Sequence, residues 1–222
     1  MASRLVDLSH TVEHGMVTYE GLPAPAISDF MSREESRDRY SPGTEFQVGA
    51  ITMVANTGTY VDAPFHRFAD GKDLADLSLE SLADLPGAVV RIPRTTKSIN
   101  KDVLKDLDLH QKAVLFHTGW DRYWRTQQYF SGHPFLTRDA SELLVNQKAA
   151  FVGIDSYNID DTRDGSRPAH TLLLGAGIPV CEHLCHLDRL PDDGFRFFAV
   201  PVRVKKFGSF PVRAFAVVTE KR

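Results

Sequence analysis

Short apolar segments without polar interior residues most constrain the fold of this chain. Ala113–His117 (AVLFH) and residues 150–154 (AFVGI) are of this kind. Their length and composition indicate strands buried on both faces, as in parallel sheets covered by helices. Residues 137–147 lie between them, begin with a capping threonine and carry leucines on one face, which predicts a helix. The alternation predicts the α/β fold class, with mixed sheets and flanking helices.

Other segments predict further elements around this centre. Strands are expected at residues 4–8, 46–54, 88–92 and 178–180, with a closing pair at 195–204 and 212–218 joined by a turn at Gly208. Helical segments are expected at 32–40, at 74–85 where leucines recur near helical spacing, and from Asn100 or Lys101.

Composition restricts the classes of protein and partner. At 222 residues one domain over residues 1–222 is expected. Net charge is −3, from 26 basic and 29 acidic residues, which favours a small-molecule partner over nucleic acid or a membrane surface. No apolar run approaches the roughly 20 residues that span a bilayer, and two cysteines form no disulfide framework, so we expect a cytoplasmic protein.

The densest group of chemically capable residues is NTGTYVDAPFH, residues 56–66. Asp62 and His66 stand four residues apart, in a segment that Gly58 and Pro64 restrict. The pair suits metal binding or acid–base work, and the spacing alone equally allows a capping aspartate and a surface histidine.

A second group is His170 and Glu182, which flank a Gly- and Pro-containing turn that can bring them together on one metal. His183 and His186 follow, but E-H-x-x-H is not the zincin order H-E-x-x-H, and a partly exposed helical face is the favoured interpretation.

Other residues are interpreted first as structural. Cys181 and Cys185 are expected to pack on one face of a helical turn. Trp120, Tyr123 and Trp124 could wall an aromatic pocket, with packing as the favoured role. Serine-hydrolase, nucleotide-binding and nicotinamide-binding motifs do not occur in the sequence.

Five segments together resemble one known family. They are DLSHTVEHGM, MVANTGTYVDAPFH, GIDSYN, PAHTLLLGAGIPVCEHLCHLDRLP and FFAVPVRVKKFGSFPVRAFAVV. In order, over nearly the whole chain, they resemble the putative cyclase family, which includes bacterial kynurenine formamidase and isatin hydrolase. The resemblance implies a swivelling β/β/α fold, a homodimer or homotetramer, and hydrolysis of an amide-like C–N bond by water activated on zinc or manganese.

The family motif is H-x-G-T-H-x-D-x-P-x-H, and this chain departs from it at two positions. Asn56 and Tyr60 stand where the first two histidines belong. The resemblance implies that Asp62, His170 and Glu182 form the surviving metal site and that His66 moves protons. A neutral amide and a phenol replace imidazole poorly as metal ligands, so one divalent ion, zinc or manganese, or none, is expected.

These expectations define three functional hypotheses. The first is a mononuclear hydrolase in which His66 and Glu182 are catalytic and Asn56 and Tyr60 hydrogen-bond the substrate carbonyl. The second is a metal-independent isomerase, dehydratase or cyclase that uses the same side chains for acid–base work. The third is a non-catalytic ligand binder, because a fold does not guarantee activity.

Overall fold

The computed structural model describes residues 3–219, which form thirteen strands and three α-helices. The strands are β1 (Ser3–Asp7), β2 (Ala26–Met31), β3 (Val48–Thr52), β4 (Tyr60–Asp62), β5 (Leu85–Arg91), β6 (Ser98–Ile99), β7 (Ala113–His117), β8 (Phe135–Leu136), β9 (Phe151–Ile154), β10 (Val180–Glu182), β11 (Phe195–Phe198), β12 (Ser209–Pro211) and β13 (Phe215–Thr219). The helices are α1 (Arg33–Ser36), α2 (Arg138–Asn146) and α3 (Pro168–Gly175).

Nine strands form one mixed sheet in the order β1-β13-β11-β5-β7-β9-β10-β4-β12. The central strands β5, β7, β9 and β10 run parallel to one another, and the pairings outside them are antiparallel. The predicted α/β class with a mixed sheet is confirmed.

Alternate side chains of the central strands enter two different cores. On β7, Ala113 and Leu115 join the cluster that contains residues of β1, β11 and β13. Val114 and Phe116 join the second cluster, to which α2 and α3 contribute Leu144 and Leu173 among others. Because successive side chains of a strand point to opposite faces, this division explains why β7 has no polar interior residue.

The helix predicted over residues 74–85 is wrong. The segment contains only a 3-10 turn at Leu79–Ser81, and β5 already begins at Leu85. The Leu74 N–H donates to the Phe207 carbonyl, and Asp84 adopts a left-handed φ of 55° immediately before the strand. Leu77, Leu82 and Leu85 pack in the core cluster on one face of the sheet, whereas Leu79 is exposed, so tertiary packing overrides helix propensity here.

The predicted closing hairpin is correct in its pairing and wrong in its connection. β11 pairs antiparallel with β13, as expected. However, residues 209–211 form β12, which pairs with β4 at the opposite edge of the sheet. Gly208 therefore begins an edge strand and does not close a tight turn, and Ser209 lies opposite Asp62.

The carboxylate of Asp155 joins the ends of β7 and β9. Its oxygens accept hydrogen bonds from the backbone N–H groups of Thr118 at 2.9 Å and Gly119 at 2.8 Å. The side chain is fully buried, so these donors have no access to water as a substitute. Within residues 3–219, no helix has the length and apolar character needed to cross a bilayer.

We expect Asp155→Ala to lower the free energy of unfolding by about 2–4 kcal/mol, because it leaves buried N–H groups without an acceptor. Urea unfolding followed by circular dichroism measures the change. Asp106→Ala is the control, since Asp106 is exposed and its side chain makes no hydrogen bond within the described residues. An equal effect of both substitutions would contradict this role.

Candidate active site

Three short strands at one edge of the sheet gather the polar side chains. β4 lies between β10 and β12, so that Tyr60 is opposite Glu182 and Asp62 is opposite Ser209. Residues 60 and 62 of a strand share a face, and directly opposed residues share that face. Strand pairing alone therefore brings all four side chains to one side of the sheet.

The turn after β4 places His66 above Asp62. Pro64–His66 forms a 3-10 turn, and the Ala63 N–H donates to the Gly208 carbonyl at 2.7 Å. Gly208 lies directly under the turn, where a Cβ atom would lie 2.5 Å from the Cα of His66. The position of His66 therefore depends on the absence of a side chain at residue 208.

A hydroxyl bridges Asp62 and His66. Ser209 Oγ donates its hydrogen to Asp62 Oδ1, and His66 Nδ1 lies 2.9 Å from the same Oγ. Since the hydroxyl hydrogen is already used, His66 Nδ1–H must be the donor in the second bond. Nε2 of His66 is then the nitrogen free to accept a proton, and the ring is 37% exposed.

His170 is oriented by a buried carboxylate. Its Nδ1–H donates to Asp160 Oδ2 at 2.6 Å, and the same carboxylate accepts the backbone N–H groups of Ala169 and His170 at the start of α3. Nε2 of His170 lies 3.5 Å from Asp62 Oδ2 and 3.7 Å from Glu182 Oε1. Burial lowers the pKa of His170, but the surrounding carboxylates, Glu182 first, outweigh it and raise the pKa to about 10.

Glu182 is held from below by Tyr60. The Tyr60 hydroxyl donates to Glu182 Oε2, and the Ile159 N–H donates to Oε1 at 2.6 Å. Burial raises the pKa of Glu182 to about 7, although His170 opposes this shift. Burial and the adjacent Glu182 carboxylate raise the pKa of Tyr60 well above its usual range. Tyr60 is 1% exposed, and its hydroxyl is bonded to Glu182. The predicted contact of Tyr60 with substrate would require that hydrogen bond to break.

A cavity of about 270 Å³ opens over these residues. Asn56, His66, His170 and Glu182 were predicted as site residues and line it. Its other lining residues are Tyr19, Leu22, Arg67, Asn158 and Arg167, which the sequence did not single out.

The donor atoms fit a cation. Asp62 Oδ2 is buried and has no hydrogen-bond donor among residues 3–219. Potential ligand atoms of Asp62, His66 and His170 lie within 4.8 Å of one another. Glu182 was predicted as a metal ligand together with Asp62 and His170, but it is not one of these three residues. Its Oε1 lies 3.7 Å from Nε2 of His170. An imidazole whose other nitrogen donates to a carboxylate is the usual arrangement of a metal-binding histidine.

The residues after Glu182 differ from their prediction. His183 is fully buried, with Nε2 2.8 Å from the Tyr157 carbonyl, and burial lowers its pKa to about 4. The predicted partly exposed helical face is wrong for His183, whereas His186 is partly exposed as predicted. Neither residue is helical, because β10 continues into an irregular turn in which both have positive φ. Cys181 and Cys185 are buried as expected, but on a strand and this turn.

Two residues that support the site were missed from the sequence. Asp160 lies ten residues before His170, in an aspartate pair within the loop that leads to α3, which is a detectable signal. Ser209 has no local signal, because only the pairing of β12 with β4 brings it to Asp62. The aromatic residues pack together as favoured, with Trp120, Tyr129 and Tyr157 at the centre of the cluster.

The fold and site define a mixed α/β protein with a buried carboxylate–imidazole cluster able to hold a divalent cation. The family model described as Putative cyclase matches residues 6–161, and the chain belongs to this family. Kynurenine formamidases of Bacillus cereus and Bacillus mycoides are each 27% identical over 213 residues, which cover 96% of this chain and 96% of each relative.

Solved structures support the same fold. Isatin hydrolase A from Labrenzia aggregata, bound to benzyl benzoate, superposes with a TM-score of 0.83 at 22% identity and covers 98% of this chain and 94% of its own. A potential metal-dependent hydrolase with cyclase activity superposes with a TM-score of 0.80 at 24% identity, covering 99% and 100% of the two chains. The predicted family resemblance is confirmed.

We expect Gly208→Ala to lower the free energy of unfolding by about 1–3 kcal/mol, because the added methyl group would overlap the backbone of His66. Urea unfolding measures the change. Gly165→Ala is a matched control, since a Cβ at residue 165 meets nothing within 4 Å. If both alanine variants unfolded alike, the close packing beneath His66 would have no energetic importance.

Proposed function

We propose that this chain is a hydrolase that cleaves an amide-like C–N bond of a small molecule, of the formamide, lactam or cyclic imide class. The observation that carries the proposal is the buried Asp62 Oδ2, which has no hydrogen-bond partner among the described residues and lies 3.5 Å from Nε2 of His170, a residue that lines the cavity. Full-length similarity to relatives named kynurenine formamidase supports the reaction class.

Asp62 and His170 would hold one divalent ion, with Glu182 as the third ligand. Oδ1 of Asp62 is occupied by Ser209, so Oδ2 is the oxygen left for a cation. Zinc or manganese suits this mixture of carboxylate and imidazole ligands. When bound, such an ion lowers the pKa of a water molecule and polarises a carbonyl group.

The chain's own groups would move the proton and hold the substrate. His66 faces the cavity with Nε2 free, so it accepts a proton from the attacking water and later returns it to the leaving nitrogen. In the overall reaction the hydroxyl of water joins the carbonyl carbon, the C–N bond breaks and the nitrogen takes the proton. The Asn56 amide would donate to the developing oxyanion, and Tyr60 would keep Glu182 in place.

We expect purified protein to contain about one zinc or manganese ion per chain and to lose turnover of formamides on chelation. His170→Gln should remove the metal and reduce kcat by more than the roughly 10–100-fold effect of a residue that supports a ligand. Elemental analysis and steady-state kinetics measure both quantities. His110→Gln is the control, because His110 is exposed and outside the cavity.

The same measurements separate the two assignments of His66. If His66 moves protons, His66→Ala should retain the metal and lose about 10²–10⁴-fold in kcat. If His66 is instead the third ligand, as its distance to Asp62 allows, the variant should lose the metal while Glu182→Gln keeps it. Full activity of metal-free protein would support the metal-independent alternative, and ligand binding without conversion would support a non-catalytic binder.

We also propose that the chain forms a homodimer or homotetramer through the hairpin of β2 and β3. This hairpin pairs with no other strand of the described chain and exposes Phe30 at 77% and Ile51 at 50%. A two-stranded ribbon is only marginally stable alone, so a second copy of the chain is the expected cover.

We expect Phe30→Asp to shift the protein toward the monomer in light scattering coupled to size exclusion. Leu79→Asp is the control, since Leu79 is 63% exposed but lies outside the hairpin. A wild type that is monomeric at micromolar concentration would contradict the proposal.

A further inference from the structure

Two arginines at the cavity have no acidic partner. Arg67 follows the turn that carries His66, and Arg167 precedes α3; both line the cavity. Within residues 3–219 neither guanidinium has a carboxylate within 4.0 Å, whereas Arg163, in the same loop as Arg167, is paired with Asp161 at 2.8 Å. The cavity therefore has carboxylates at its floor and two arginines in its lining. No carboxylate of the described residues pairs directly with either arginine.

Neutral oxygens hold both guanidinium groups. Arg67 Nε donates to Thr171 Oγ1 at 3.2 Å, and Thr171 stands four residues after Arg167, one turn further along α3. Arg167 Nη1 lies 3.3 Å from Asn158 Oδ1, to which it donates, and the Asn158 amide donates to Glu182 Oε2 at 3.4 Å. Each arginine uses part of its set of five N–H donors in this way, and the remainder can bind a ligand.

The backbone of Arg167 adds a separate observation. Its φ of 46° and ψ of 61° lie in the left-handed region, at a residue that is not glycine. Such a conformation costs on the order of 1–2 kcal/mol and persists where surrounding structure enforces it, often at ligand sites. Here the conformation presents Arg167 to the cavity at the start of the helix that carries His170.

We propose that Arg67 and Arg167 bind a carboxylate group of the substrate, so that the preferred substrate is an anionic amide. Paired guanidinium groups match the geometry of a carboxylate, and such charge-assisted bonds are about twice as strong as neutral ones. The side chains of Tyr19 and Leu22 supply an apolar wall for the rest of the molecule. A cavity of about 270 Å³ suits a ligand built on a single ring.

This substrate class rests on the proposed hydrolase function, and the alternative is that the arginines only balance the charges of Asp62, Asp160 and Glu182. The two roles differ in what they do to a neutral substrate. A carboxylate-binding pair discriminates between an acid and its ester, whereas a charge-balancing pair affects both equally.

The test compares N-formyl-3-aminobenzoate and N-formyl-2-aminobenzoate with their methyl esters, using the metal-loaded protein. Arg67→Gln and Arg167→Gln should each raise KM for the acids by about 10–100-fold, the usual effect of losing a hydrogen bond to a charged group. KM for the esters and kcat for both should change less than about two-fold. Arg67→Lys and Arg167→Lys should restore part of the preference, since they keep the charge without the fork of donors.

Arg163→Gln is the matched control, because Arg163 is exposed and paired with Asp161 outside this cavity, and it should leave the preference unchanged. Equal losses for acid and ester, or a wild type without preference for the acid, would overturn the proposal. If the wild type hydrolyses neither, calorimetry with 3-aminobenzoate and its methyl ester measures the preference without turnover. If the wild type then binds the acid more tightly than the ester and both glutamine variants lose this preference, the anion site is upheld. Only the proposed hydrolase function is rejected in that case.

Discussion

The pairing of β4 with β10 on one side and β12 on the other is the contact on which the site depends. It aligns Tyr60 with Glu182 and Asp62 with Ser209. Around this arrangement, α3 contributes His170 and the Asp160 carboxylate fixes the ring of that histidine. A one-residue shift in either pairing would turn the site side chains to the opposite face, because side chains alternate along a strand. The register of these two pairings therefore determines which side chains form the candidate site, as well as how the strands fit together.

The phenol of Tyr60 changes the hydrogen-bonding chemistry beside Glu182. A histidine at this position, as in the family motif, would offer a lone pair to a cation. Tyr60 offers a proton to Glu182 and is almost completely buried. A donor in place of an acceptor stabilises the carboxylate against which it packs, and it leaves residue 60 without the lone pair that an imidazole would offer to a cation. The unpartnered oxygen of Asp62 remains on the side of His170, consistent with a single cation there.

Much of the fold was predictable because local patterns and tertiary structure agree. The buried strands β7 and β9 and the helix α2 follow directly from apolar runs and from the position of Thr137. Thr137 lies at the N-cap of α2, although its hydroxyl donates to Asp139 and does not cap a backbone N–H of the helix. The helix predicted over 74–85 is wrong because Leu77, Leu82 and Leu85 pack against the sheet from an irregular segment, and the leucine spacing only imitates a helix. For the site, His66, His170 and Glu182 were found from residue chemistry and family resemblance. Ser209 and the two cavity arginines were not. Only the pairing of β12 with β4 brings Ser209 to Asp62. Arg167 has a left-handed backbone before α3, and Arg67 directly follows the 3-10 turn after β4.

The bond between Ser209 and Asp62 joins residues 147 positions apart. During synthesis, the outer edge of β4 therefore stays uncovered until β12 has been made. Until then, an exposed edge strand would border the unfinished site, and unpaired edges promote association between chains. Pairing of Ser209–Pro211 with β4 thus removes this open edge at the same step that completes the candidate site.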